Sequence, residues 1–462
     1  MTRFIDSRHP HYDEFCDRWR FYLNSYEGGR DYLEGGYLFR HFREDEPDYQ
    51  DRAVRSYYYN FCRTVIDTYI SQIYQQTTAI YRNSGGIREY DRFLTNVDGK
   101  GNGIDLFMQE QAAPAAQIFG HVHVLIDKPP MTRRPMTRAD EEALNLLPYL
   151  ALIYPENLPD YRLDSKGDFL WARIREIAPS PDGPFVSMPS EPRMQYRTWT
   201  RTNWYLHNDN GSLVATGTHN LGRVPIVTIV NVHSKKYPRC GVSALADIAP
   251  INRSIYNWCS LNDEFLYRQC FNILAIPQVP GSKVKKLGTM SALTFPYDAA
   301  KTPFYIYPPV EPGEYLLRNI NDAIMQIYRI AVLGMHELEP TRQVQSGIAK
   351  AYDFQRANQN MVKKARNLEQ AEIAIGELWG LWQGRRGFRP VVEYPGDYNI
   401  NSLAEQLRSD FELIQMNISE TFNKTLKKRM AQSAIKLRDA EQKKVFSEID
   451  SAIPAIEQAV KK

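Results

Sequence analysis

The pattern of apolar and polar positions predicts a long helix in the first hundred residues. Between Pro47 and Arg82 the sequence contains no Gly and no further Pro, and Pro47 stands where a first-turn proline is tolerated. Two apolar stripes recur at three- and four-residue spacing, one made of Val54, Tyr58, Phe61, Val65 and Thr68, the other of Ile66, Tyr69, Ile70 and Ile73. Apolar positions on more than one face indicate a helix buried against several neighbours.

The pattern changes after this helix. A further helix is expected to run to Phe119 with an interruption near Pro114, and the residues from His121 to Asp127 then read as a strand. From 149 to 231, alternating segments are separated by turn clusters such as Asn208-Asp209-Asn210-Gly211. This arrangement is typical of an antiparallel sheet.

The second half of the chain returns to helix. Apolar spacing predicts helices from Ser243 to Cys270 and from Glu311 to Leu333, with a short β excursion from Gly281 to Pro309 between them. A polar loop, 334–346, leads into a third helix from Gly347 to about Gln383. The last segment, from Ser402 to Lys462, reads as helical and charged and contains no Gly. The predicted fold class is therefore α+β and mainly helical.

The third helix also bears on the shape of the subunit. At 1.5 Å per residue it would span roughly 55 Å. A compact chain of this length has a radius of gyration of about 23 Å. A helix as long as the molecule is wide predicts an elongated subunit.

Composition narrows the possible partners. The 57 Lys and Arg against 54 Asp and Glu give a net charge of +3, which is too balanced for a broad basic face that grips nucleic acid. The 29 Tyr suit extensive protein interfaces as well as a core. Five scattered Cys without a CxxC pair argue against a disulfide framework or a zinc ribbon. With no signal peptide and no run of 18 apolar residues, we expect a soluble protein without a membrane partner.

The candidate chemistry is sparse. His121 and His123 would share one face of a strand and could begin a metal site, but His207, His219 and His233 lie in the meandering region and not in repeating βα units. The loop 98–103 lacks P-loop spacing, and no GxSxG or HExxH signature appears. The basic runs 384–387 and 424–429 are typical of solvated helix faces, and transient, salt-sensitive contact with phosphates is the alternative use. We therefore expect no catalytic site, no metal and no cofactor.

Five segments together resemble a known family. They comprise the opening residues 9–61, with a His-Pro, a Trp, a Gly-bearing turn, a Tyr-Leu and a Tyr-x-x-Arg helix start in that order, then YPENLPDYRL at 154–163, HNLGRVPIVTI at 219–229, GVSALADIAPINRSIYNWCSLNDEF at 241–265 and SGIAKAYDFQRANQNMVKKARNLEQAEIAI at 346–375. In this collinear order, over roughly residues 9 to 380, they are similar to segments of the portal proteins of tailed bacteriophages. The tail beyond residue 400 matches no motif of that family.

The resemblance implies a portal-type fold in which the subunits form a ring. Residues 1–235 would form the wing, 236–272 and 311–333 the two stem helices, and 273–310 the clip between them. Residues 334–346 would be the tunnel loop, 347–399 the spine helix and strand of the wing, and 400–462 a helical crown.

It also implies a function without catalysis. The protein would form a homododecameric head-tail connector at one capsid vertex of the virion, assembled in the host cytoplasm. The ring would conduct double-stranded DNA during genome packaging and ejection. Its partners would be the terminase large subunit, tail adaptor proteins, and the major capsid and scaffold proteins. Residues facing DNA would be Gly334, Met335, His336, Glu337, Glu339, Arg342, Gln343 and Gln345, and Lys283, Lys285 and Lys286 would dock partners at the clip.

Two other classes of protein stay open at this point. One is a metal-dependent hydrolase built on His121 and His123. The other is a helical scaffold or adaptor protein that does not form a ring. Bound metal would favour the first, and a small fixed oligomer would favour the second.

Overall fold

The computed structural model describes residues 4–75, 80–129, 147–178, 193–269, 273–278, 292–296, 302–306, 311–331, 347–398, 403–416, 418–434 and 439–451. The chain divides into two compact units, residues 1–397 and 398–462. Within the described residues, the first unit combines helices with four small sheets, and the second unit is helical. This mixture confirms the predicted α+β class.

The N-terminal region is a set of four helices. These are α1 (Pro10–Glu27), α2 (Gly29–Leu33), α3 (Glu46–Arg55) and α4 (Phe61–Tyr74). Helix α1 begins at Pro10, where the His9 side chain accepts a hydrogen bond from the N–H of His11. It ends at Gly28, which has a φ of 65° that favours glycine and donates its N–H to the carbonyl of Asn24.

The prediction of one helix from Pro47 to Arg82 is wrong. Helix α3 ends at Arg55, α4 starts only at Phe61, and residues Tyr81–Asn83 form a strand, β1. Asn60 caps α4 by accepting the N–H of Arg63 at 2.8 Å. Asn252, far along the chain, accepts the N–H of Phe61 at 3.0 Å and donates to the carbonyl of Tyr59 at 2.9 Å. These side chains satisfy the backbone groups that a break in the helix leaves open.

The next helices lead into the sheets. They are α5 (Arg88–Thr95), α6 (Ile104–Phe107), a π-helical turn (Met108–Ala112) and α7 (Ala113–Phe119). The widened turn lies directly before Pro114 and confirms the predicted interruption. Gly120 ends α7 with a φ of 87° and packs against the backbone of Gly241 so closely that a side chain would collide with it.

Two antiparallel sheets follow, where the sequence predicted one. Strand β2 (His121–Asp127) lies between β3 (Tyr149–Ile153) and β9 (Ile226–Val230). The second sheet is a meander of β4 (Asp160–Leu163), β5 (Phe169–Ile177), β6 (Met194–Thr200), β7 (Asn203–Asn208) and β8 (Leu213–Thr218). Leu125 and Ile226 of the first sheet pack with Phe169 and Trp199 of the second in one apolar cluster.

The chain then forms a helix, a small sheet and a second helix. Helix α8 (Ile248–Gln269) starts later than the predicted Ser243, because the Ser243 hydroxyl donates to the carbonyl of Ile118 and accepts the N–H of Leu245 in the turn before the helix. Helix α9 (Glu311–Ala331) follows the small sheet in the sequence. Both predicted helices are confirmed over these residues.

The small sheet begins earlier than predicted. Strand β10 (Ile273–Gln278) is paired in parallel with β11 (Ala292–Pro296) and antiparallel with β12 (Phe304–Ile306). Pro277 lies inside β10. Pairing with β12 stops at Ala275, so that side of Pro277 needs no N–H donor.

Helix α10 (Gly347–Trp382) has 36 residues and confirms the predicted third helix. Strand β13 (Val391–Glu393) then returns to pair with β1. The second unit contains α11 (Leu403–Gln415), α12 (Glu420–Ala434) and α13 (Asp439–Ser451), which confirms the helical prediction for these residues. Within this unit, Lys428 of α12 forms an ion pair with Asp450 of α13 at 2.6 Å.

Candidate functional site

His121 and His123 lie on one face of β2, as their spacing predicts. Their ring centroids are 5.3 Å apart, and both side chains are buried. Aromatic rings surround them, with Trp19 5.6 Å from His121 and Phe169 6.1 Å from His123. His123 Nδ1 lies 3.0 Å from the Thr228 hydroxyl. Burial without a carboxylate partner lowers the pKa of His121 to about 4 and that of His123 well below its ordinary value.

These surroundings do not resemble a metal site. Among the described residues, no group of three or more His, Cys, Asp or Glu side chains is placed to hold an ion. His219 Nε2 lies 3.1 Å from the carbonyl of Thr200, and His207 belongs to β7 of the meander. The structure therefore brings His121 and His123 together with apolar neighbours, and nothing in it favours the hydrolase alternative.

The most distinctive local geometry is the pairing of α8 with α9. The ring of Phe265, near the end of α8, packs against Gly313, near the start of α9. The opposite ends of the two helices both contact α4. Near the start of α8, Asn252 accepts the N–H of Phe61, and at the end of α9 the carbonyl of Ala331 accepts the hydroxyl of Tyr69. The two helices are therefore antiparallel, and the small sheet β10–β12 is inserted at the ends away from α4. We call α8, α9 and this sheet the helical hairpin.

A buried arginine fixes the hairpin to the N-terminal helices. Arg52 of α3 is 1% exposed and donates two hydrogen bonds to the carboxylate of Glu44, at 2.6 and 2.7 Å. It also donates to the hydroxyl of Ser260 on α8 at 2.9 Å and to the carbonyl of Phe39. The guanidinium holds the pKa of Glu44 below its ordinary value. Because every contact of this guanidinium is directional, it sets the position of α3 along α8.

Further polar contacts repeat this attachment along α8. Arg55 pairs with Glu264 at 2.6 Å, and its guanidinium lies over the ring of Tyr267 at 4.1 Å. Asn257 accepts the N–H of Phe39 and donates to the carbonyl of Tyr37. Spacing along the sequence gave no indication of these pairs, since most of their partners lie more than 200 residues apart. The single Asn and Ser residues among the apolar positions of α8 are the one sequence feature that indicates these polar contacts.

Part of the apolar surface of the hairpin stays uncovered. Several apolar residues of α8 and α9 are buried within one chain, among them Ile248, Ile255, Ile320 and Ile327. Large apolar side chains elsewhere on the two helices are exposed, namely Leu261, Leu266 and Tyr267 on α8 and Tyr315, Leu317 and Ile330 on α9. Such residues are candidates for contact with another protein, and other exposed apolar side chains, such as Phe42 and Val54, lie elsewhere in the chain.

A cavity of about 470 Å³ lies among the loops of the meander and residues of β9 and α10. Three arginines contribute to its wall, but each already faces a carboxylate. Arg201 pairs with Asp164 at 2.6 Å and Arg239 with Asp168 at 2.5 Å. Arg223 lies 3.9 Å from Glu377. The cavity therefore offers mainly neutralised charge.

The site residues predicted from the sequence lie outside the described residues. This holds for the loop residues Gly334, Met335, His336, Glu337, Glu339, Arg342, Gln343 and Gln345, and for Lys283, Lys285 and Lys286. Their roles stay predictions. No described helix combines the length and hydropathy that a bilayer span requires.

Comparison with known proteins yields a weak structural likeness. No protein-family model and no curated protein matches the sequence. Among solved structures, the chain is similar to a chain from the neck of an empty GTA particle, computed with C6 symmetry, at 12% identity and a TM-score of 0.41. The match covers 91% of this chain and 98% of the other. A likeness at this TM-score supports no inference about function.

Proposed function

We propose that this chain is a portal protein of a tailed, phage-like particle, which assembles into a closed ring and conducts double-stranded DNA. The observation that carries the proposal is the order of elements in the helical hairpin and beyond it. An antiparallel helix pair encloses a small sheet, and a 36-residue helix follows. The sequence segments that resemble portal proteins fall in the same order along the chain.

The hairpin supports assembly from many copies. Its exposed apolar residues lie on both helices, and contact with further copies of the chain would remove them from water. Contacts between two different surfaces generate a ring when the rotation closes. In that ring, α8 and α9 would be the stem, β10–β12 the clip, and α11–α13 part of the crown.

The proposed ring would contact DNA and several protein partners. The loop 334–346 would face the duplex, and Lys283, Lys285 and Lys286 would dock the terminase or a tail adaptor. A ring of twelve copies would sit at a capsid vertex in contact with capsid and scaffold proteins. The near-neutral net charge of +3 suits a channel through which DNA slides.

The mass of the purified protein in solution tests the proposal, together with negative-stain images of the same fraction. Twelve copies of 53.6 kDa give a particle of about 640 kDa with a central hole. The expected result is a closed ring of twelve copies, or of one copy more or fewer. A monomer or dimer at all concentrations, also in the presence of scaffold protein, would contradict it.

A further inference from the structure

The exposed face of α10 has an unusual composition. From residue 355 to residue 370 the exposed positions are Gln355, Arg356, Gln359, Lys363, Arg366 and Gln370. They follow the three- and four-residue spacing of one helical face, and all six carry Arg, Lys or Gln. We call these six residues the α10 basic face.

The two acidic residues between positions 355 and 375 are directed elsewhere. Glu372 is buried and pairs with Arg82 at 2.8 Å, and Glu369 accepts the N–H of Tyr394. Lys364, one position after Lys363, also turns inward and donates to the side chain of Asn231. In this part of the helix, both carboxylates are used for packing, whereas three of the four cations lie on the outer face.

The three cations of this face have no ion-pair partner among the described residues, whereas most arginines described elsewhere in the chain do. Arg356 and Arg366 are ten residues apart, which corresponds to about 15 Å along the helix. Phosphates follow each strand of B-DNA at about 3.4 Å along its axis. The face is therefore long enough to meet several successive phosphates.

We propose that the α10 basic face contacts the phosphate backbone of double-stranded DNA, an inference that rests on the proposed DNA-conducting function. Arg and Lys supply the charge, and Gln amides are among the groups that donate to phosphate oxygens. No apolar or aromatic side chain stands among the six exposed positions. Protein interfaces usually centre on such residues, so the composition favours a polyanion over an acidic protein surface. Contacts of this type do not depend on base sequence.

The test compares the assembled wild-type ring with the variant Arg356→Gln/Lys363→Gln/Arg366→Gln. Gln has nearly the same helix propensity as Arg and Lys, so α10 should be retained. Binding of a fluorescent random-sequence duplex is measured by anisotropy over a series of KCl concentrations. A matched control, Arg162→Gln/Lys166→Gln/Lys235→Gln, removes the same charge from exposed positions outside α10.

We expect the triple variant to bind at least about tenfold more weakly at low salt, with a shallower dependence of log K on log salt, because each lost phosphate contact removes about 0.9 from the slope. The control should keep the wild-type slope, and all three proteins should form rings. An unchanged slope in the α10 variant would overturn the inference and leave the proposed function standing. A wild-type ring that binds no duplex would overturn both. Loss of the ring in the α10 variant alone would assign the face to contact between copies.

Discussion

The imidazole of His121 is enclosed by Trp19, His123 and the backbone of Gly241. Its pKa of about 4 lies below the ordinary 6.5, because burial disfavours the charged form. Between these two pH values the unfolded chain binds a proton that the folded chain does not. The free energy of unfolding therefore decreases as the pH falls from 6.5 towards 4.

This residue gives a direct prediction of pH dependence. Between pH 7.5 and pH 4.5, the wild-type protein should lose about 2 to 3 kcal/mol more stability than His121→Asn, because one pKa unit corresponds to 1.36 kcal/mol. Urea unfolding at the two pH values measures the difference. The control His41→Asn changes an exposed imidazole and should behave like the wild type. Equal pH dependence in all three proteins would show that His121 is not held neutral by burial.

The sequence predicted part of this environment. The i, i+2 spacing on a strand placed His121 and His123 on one face, and their rings do lie 5.3 Å apart. Whether the two imidazoles could bind a metal depended on which other side chains lie beside them. Trp19 and Phe169 come from α1 and β5, and local patterns contain no information about such long-range neighbours.

Among the secondary-structure elements, the break between α3 and α4 shows how a side chain far along the chain can stabilise the turn between two helices. Asn252 is fully buried and satisfies the N–H of Phe61 and the carbonyl of Tyr59. Asn252→Ala should lower the free energy of unfolding by about 1 to 3 kcal/mol, because the Tyr59 carbonyl and the Phe61 N–H would keep only their 3.1 Å hydrogen bond to each other. Thermal or urea unfolding measures the loss.

Asn257 provides the comparison, since it makes similar bonds to Phe39 and Tyr37 but is only partly buried. Water can replace those bonds, so Asn257→Ala should cost clearly less. Equal losses of unfolding free energy in the two variants would mean that burial of the side chain does not determine how much its hydrogen bonds contribute to stability.

The same break explains an error in the sequence-based prediction. Gly and Pro are the usual signals that end a helix, and residues 48–82 contain neither. Asn60, a residue type favoured at helix N-termini, was the one local signal of a new start. By contrast, α9 and α10 were predicted well because their apolar periodicity runs without interruption over 21 and 36 residues.

For the whole molecule, the exposed residues of the hairpin yield a prediction about assembly. Leu266 on α8 is 50% exposed, and a carboxylate at this position would have to be desolvated in an interface. Leu266→Asp should therefore reduce the mass from the ring to smaller species, as measured by light scattering, with an unchanged circular dichroism spectrum. Leu213→Asp, on β8 and 55% exposed, is the matched control and should still form rings. A full ring from Leu266→Asp would exclude this part of α8 from the interface.

The order of elements could be predicted from the sequence, but their attachment to one another could not. Helix, sheet, helix and long helix follow directly from changes in apolar period. The contacts that hold α3 on α8 join Arg52 to Ser260, 208 residues apart, and no motif marks either residue. Such contacts depend on the finished fold.

The pairing of β1 with β13 has a consequence for biosynthesis. Strand β1 ends at Asn83 and its partner begins at Val391, so roughly 300 residues must be translated before the two can meet. At about 5 to 20 residues per second this takes on the order of 15 to 60 seconds. During that interval Arg82 also lacks Glu372, its partner 290 residues later. Strand β1 therefore stays without its partner strand while the meander and α8 emerge from the ribosome. The pairing of β1 with β13 is a late step in folding.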